Sequence, residues 1–83
     1  MSNKTWTFEL DGKRRVVEIQ NRYISGRRTI LLDGEIIEKT HPHVADFGSE
    51  HRFKIEQHDC LLRVRVLSGL YFEYELYLDG KLI

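Results

Sequence analysis

The sequence predicts an all-β protein: an antiparallel β-sandwich of about eight short strands, arranged as two four-strand meanders packed face to face. Three observations carry this. Apolar and polar residues alternate in one segment after another, as in Phe53-Lys-Ile55 and Leu62-Arg-Val64-Arg-Val66. Asp-Gly recurs between such runs, at Asp11-Gly12, Asp33-Gly34 and Asp79-Gly80. No segment carries an apolar stripe at helical spacing. Period-two alternation marks a strand with one wet and one dry side. Asp-Gly between two such runs suits a two-residue turn, whose central residues need positive φ.

Taken in order, Thr5–Leu10 alternates strictly and places Trp6, Phe8 and Leu10 on one face, before the Asp11-Gly12 turn. Arg15–Ile19 returns with Val17 and Ile19 inward, and Ser25-Gly26 closes a longer turn. Thr29–Leu32 and the weaker Glu35–Glu38 flank Asp33-Gly34. His41 to Glu50 has no periodicity, holds the single proline and reads as a crossing loop with Phe47 as its inward anchor. His51–Ile55 and Leu62–Val66 then form a hairpin around the polar break at His58-Asp59. Phe72, Tyr74, Leu76 and Leu78 make the longest strand, followed after Asp79-Gly80 by Lys81-Leu82-Ile83 alone. Three residues are fewer than the usual ~5–6, so this is either a short protected edge or a strand cut short. The order of signals also repeats. Phe8-x-Leu10, Val17-x-Ile19, Ser25-Gly26 and Leu32-Asp33-Gly34 parallel Phe53-x-Ile55, Val64-x-Val66, Ser68-Gly69 and Leu78-Asp79-Gly80.

At 83 residues the chain is read as one domain, residues 1–83, near the small end of what buries a sufficient core unaided. Lys and Arg together equal Asp and Glu at 13 each, which argues against a protein built to coat nucleic acid or an anionic membrane. A neutral surface also weakens repulsion between copies and favours self-association. Cys60 is the single cysteine, so no internal disulfide forms, and a lone thiol fits a reducing compartment. Met-Ser-Asn-Lys-Thr leads into no apolar run and is not a secretory signal. The expected location is cytoplasmic.

The residues that invite chemistry have bland readings beside them. His41, His43, His51, His58 and Cys60 lack the spacing that makes zinc ligands converge. His58-Asp59-Cys60 holds the residue types of a thiol nucleophile with its base and acid, but such sites draw their members from separate segments. Asp59 is better read as bonding turn amides, and Cys60 as a small core residue. No enzyme, cofactor or metal site is therefore expected. Ser25-Gly26-Arg27-Arg28 can cradle an anion through turn amides and guanidinium groups, which makes a small-anion or metabolite binder the alternative function. Tyr71 and Tyr77, expected to face outward near the short Leu82-Ile83 edge, are the candidate protein contacts. Cross-strand packing on the sheet surface explains the tyrosines equally well.

Trp6, Leu10-Asp11-Gly12 and His51-x-Phe53-x-Ile55-x-x-His58-Asp59-Cys60 resemble the carboxy-terminal domain of the Fas apoptotic inhibitory molecule family. Ser25-Gly26-Arg27-Arg28 running into Leu32-Asp33-Gly34, and Ser68-Gly69 with Tyr74-Glu-Leu76 before Asp79-Gly80, resemble its amino-terminal domain. The resemblance spans nearly the whole chain and marks it as a single-domain relative or one excised domain. It implies an antiparallel β-sandwich without catalytic residues or cofactor. Animal members have two such domains, protect cells from death-receptor apoptosis and counteract protein aggregation. The function expected on these grounds is a non-enzymatic protein-interaction domain that contacts a protein partner or a second copy.

Overall fold

A computed structural model describes residues 2–22, 27–40, 48–68 and 71–83, and every regular element among them is a strand. The chain divides into two compact units, Met1–Ala45 and Asp46–Ile83. The first is a four-strand antiparallel meander of β1 (Ser2–Leu10), β2 (Lys13–Asn21), β3 (Arg28–Leu32) and β4 (Glu35–Thr40), paired in that order. The second repeats the plan with β5 (Ser49–Ile55), β6 (His58–Ser68), β7 (Tyr71–Leu78) and β8 (Lys81–Leu82). The expected all-β class and the two meanders are both present. Phe47 lies outside the described residues. Ser49 and Glu50, read from sequence as loop, begin β5, and β6 rather than β7 is the longest strand.

Directly opposed residues share a face, so the pairing shows which side chains are buried together. In the first unit Trp6 opposes Val17, Val17 opposes Leu32, and Ile19 opposes Ile30. Trp6, Leu10, Val17, Ile19 and Ile30 are buried. In the second unit His51 opposes Leu62 and Leu62 opposes Leu76, while Cys60 lies between Phe53 and Leu78. His51, Ile55, Cys60, Leu62, Val64 and Leu76 are buried there. β4 forms with a register shift between Ile30 and Leu31 and leaves Ile36 and Ile37 exposed.

The three Asp-Gly pairs turn as expected, with φ of 52° and 78° at Asp11-Gly12, 51° and 85° at Asp33-Gly34, and 49° and 83° at Asp79-Gly80. The fourth two-residue turn corrects the sequence reading. It falls at Glu56-Gln57, with Glu56 at φ 57°, and not at His58-Asp59, which open β6. The reason lies some twenty residues away. Asp79 Oδ1 accepts the Asp59 amide at 3.0 Å, Asp79 Oδ2 accepts His58 Nδ1–H at 2.6 Å, and the Asp79 amide donates to the Asp59 carbonyl at 2.8 Å. That latch requires β6 to run alongside the last turn. The acid that bonds a backbone amide here is thus Asp79, reaching from its turn to the start of β6, whereas Asp59 lies exposed beside Lys54.

The first unit carries the same latch. Asp33 Oδ1 accepts the Val16 amide at 2.9 Å, Oδ2 accepts Arg15 Nη1–H at 2.6 Å, and the Asp33 amide donates to the Val16 carbonyl at 2.8 Å. Pairing makes Val17 equivalent to Cys60 and Trp6 equivalent to Phe53. The repeat therefore aligns Trp6-x-Phe8 with Phe53-x-Ile55, and Val17-x-Ile19 with Cys60-x-Leu62. The sequence alignment through Phe8-x-Leu10 is offset by two because each strand of the β1–β2 hairpin runs further past its neighbour.

Candidate functional site

The outer face of the second unit carries most of the candidate protein contacts. Arg52 opposes Leu61, Leu61 opposes Tyr77, and Tyr77 opposes Leu82, so these four side chains form one row across all four strands. In the adjacent row Glu50 opposes Arg63 and Arg63 opposes Glu75. Arg63 Nε donates to Glu50 at 3.1 Å, and its Nη1 lies 3.8 Å from Glu75. The Arg63 guanidinium carbon sits 5.6 Å from the centroid of the Tyr77 ring, within cation–π range. Further along, Arg65 Nη1 donates to Glu73 at 2.8 Å. Glu73 and Glu75 thereby balance Arg65 and Arg63 on this face. Glu18 instead accepts Gln20 Nε2–H at 3.2 Å.

The four predicted contacts do not form one patch. Tyr77 is half-buried in the row, with Leu82 59% and Ile83 46% exposed beside it, and the Ile83 amide donates to the Leu76 carbonyl at 2.9 Å. Tyr71 is 73% exposed but sits at the far end of β7, six residues away. At ~3.3 Å per strand residue that separation is about 20 Å. It lies instead next to the β6–β7 connection, opposite Ser68 and near exposed Leu67.

The anion candidate also divides. Ser25 and Gly26 lie outside the described residues. Arg27 is exposed, but Arg28 is only 2% exposed, opposite buried Asn21 on the inward side of β2 and β3. Strand alternation sends Arg27 and Arg28 in different directions, so Arg28 is corrected from a surface anion ligand to a buried side chain.

His58 and Cys60 point to one side of β6 and Asp59 to the other, so Asp59 cannot orient His58 as a triad acid would. Cys60 is 3% exposed, and its burial pushes the thiol above its ordinary value of 9.0. A poised thiolate needs the opposite shift. Asp33 and Asp79 are each held below 3.8, chiefly by the hydrogen bonds from Arg15 and His58 and then by those from the Val16 and Asp59 amides. No group of three or more metal-ligating side chains gathers among the described residues, which do not include His41 and His43.

The cross-strand row was missed by sequence reading because its members come from four strands and two of them, Arg52 and Leu61, carry no local signature. Their register, not their spacing in the chain, brings them together. Compared with known families, residues 2–83 match the model described as Fas apoptotic inhibitory molecule (FAIM1). No individual curated protein gives a significant match to the chain.

Proposed function

The chain belongs to the Fas apoptotic inhibitory molecule family, and from that premise we propose that it is a non-enzymatic protein-interaction domain. Its surface is the terminal edge at β7–β8, and its role is protection from apoptosis or from protein aggregation, as the family name and the resemblance suggest. The observation that supports this reading is the apolar end of the chain. Leu82 and Ile83 stay largely exposed beside Tyr77, on a strand only two residues long. Exposed apolar side chains at a sheet edge are surfaces that other chains readily cover. Burial of the Cys60 thiol and the engagement of His58 by Asp79 support the non-enzymatic part of the reading.

Light scattering over a concentration series tests the reading, using the native chain, a chain lacking Leu82 and Ile83, and a Leu82→Ser/Ile83→Ser variant. The expected result is association of the native chain that both alterations abolish while the β-sheet circular dichroism is unchanged. A native chain that stays monomeric throughout, and that leaves the aggregation of a heat-stressed client protein unaltered, overturns it.

A further inference from the structure

A groove of about 560 Å³ runs over the outer face of the second unit, within the size range of ligand sites. Leu61 and Tyr77 both line it, in the row that ends at Leu82. Arg52, Lys54 and Arg63 line it against a single carboxylate, Asp59. Glu50 and Glu75 contact Arg63 from the neighbouring row and are not part of the lining. They hold its guanidinium in place against the Tyr77 ring.

The other two cations are only loosely engaged. Arg52 lies 3.9 Å from Glu50 and Lys54 lies 3.7 Å from Asp59, both beyond hydrogen-bond reach, and their side chains are 76% and 70% exposed. Exposed pairs of this kind contribute little, so an incoming carboxylate can replace them. The site thus combines an apolar and aromatic strip with two cations on β5, Arg52 and Lys54, and a third, Arg63, on β6. A basic segment would meet those cations unfavourably. Nucleic acid would find two half-buried aromatic residues, Phe53 and Tyr77, rather than an exposed stacking platform, on a chain of formal net charge +0.

We infer that this groove docks an extended acidic peptide segment that carries an aromatic side chain. The inference rests on the protein-interaction reading and narrows both its surface and its partner. The aromatic side chain packs on Tyr77 and Leu82, and the carboxylates reach Arg52 and Lys54. From β7 to β5 is two strand spacings, about 10 Å, which about three residues of extended chain cover. The partner pattern is therefore an aromatic residue followed, three positions on, by acidic ones.

The test uses the full chain and a fluorescein-labelled hexapeptide, Trp-Ser-Ser-Glu-Asp-Glu, followed by fluorescence anisotropy. Saturable binding is expected. It should weaken roughly tenfold or more in Arg52→Glu/Lys54→Glu and on raising salt to about 0.5 M, and several-fold in Tyr77→Thr. Amide resonances of residues 52–63 and 77–82 should move, and the analogue Trp-Ser-Ser-Lys-Lys-Lys should not bind. No binding up to about 1 mM peptide, equal binding of the two peptides, or unchanged affinity in the charge-reversed variant overturns the inference. The light-scattering series separates the two failures. Association that still depends on Leu82 and Ile83 while the peptide fails removes the groove assignment alone; loss of both removes the interaction reading as well.

Discussion

Replacing Gly48 by alanine is expected to be one of the most damaging single-methyl changes in the chain. Gly48 precedes β5 at φ 97°, and a Cβ there would run into the carbonyl oxygen of Val64, the residue that Ser49 faces across the sheet. Two costs add. An alanine at such a φ is strained by about 1–2 kcal/mol. Displacing a backbone carbonyl already set in a paired strand adds roughly 1–3 kcal/mol, as overpacking does elsewhere. The sum, about 2–5 kcal/mol, is a large part of the roughly 4–12 kcal/mol that a domain of this size holds. Gly12 supplies the comparison. It has φ 78°, yet nothing lies within 4 Å of its virtual Cβ. Gly12→Ala should therefore lose only the conformational part. Urea unfolding of the two variants, read by β-sheet circular dichroism, measures the difference directly. A Gly48→Ala midpoint equal to or above that of Gly12→Ala would refute the reasoning, because the clash would then cost nothing.

Two further outcomes follow from the latches and the buried thiol. Asp33 and Asp79 both titrate below 3.8 in the folded chain. Each contributes stability that is fully present above the unfolded carboxylate value and is lost as pH falls through the depressed folded one. Acid unfolding should steepen below about pH 4, and Asp33→Asn/Asp79→Asn should flatten that limb while lowering the midpoint at neutral pH. An unchanged acid limb in the double variant would show that other carboxylates control it. Cys60 should react with a thiol reagent at pH 8 at least about a hundredfold more slowly in the native chain than in urea, since burial removes both access and thiolate. Comparable rates would mean that the second unit opens freely around β6.

The amino-acid sequence by itself determined the class, the strand count and the inward faces. Those features rest on local facts: alternation at period two, and Asp-Gly at positions that require positive φ. The turn at Glu56-Gln57 was not legible. Moving a hairpin turn by two residues leaves every side chain on its own face, so alternation fits both placements equally. Only Asp79, bonding His58 and the Asp59 amide from the far hairpin, selects one of them. The same limit explains the offset in the internal repeat, where the Asp33–Val16 and Asp79–Asp59 pairings set the register. Burial of Arg28 escaped the sequence because a guanidinium next to a turn ordinarily faces water; its pairing with Asn21 in β2 turns it inward instead. The candidate site was half legible. Tyr77, Leu82 and Ile83 could be placed near one edge from their order in the chain. That Tyr71 stands about 20 Å away along β7, and that Arg52, Leu61, Tyr77 and Leu82 share one row, were decided by cross-strand register. Register is a tertiary property, because it depends on which distant residues pair.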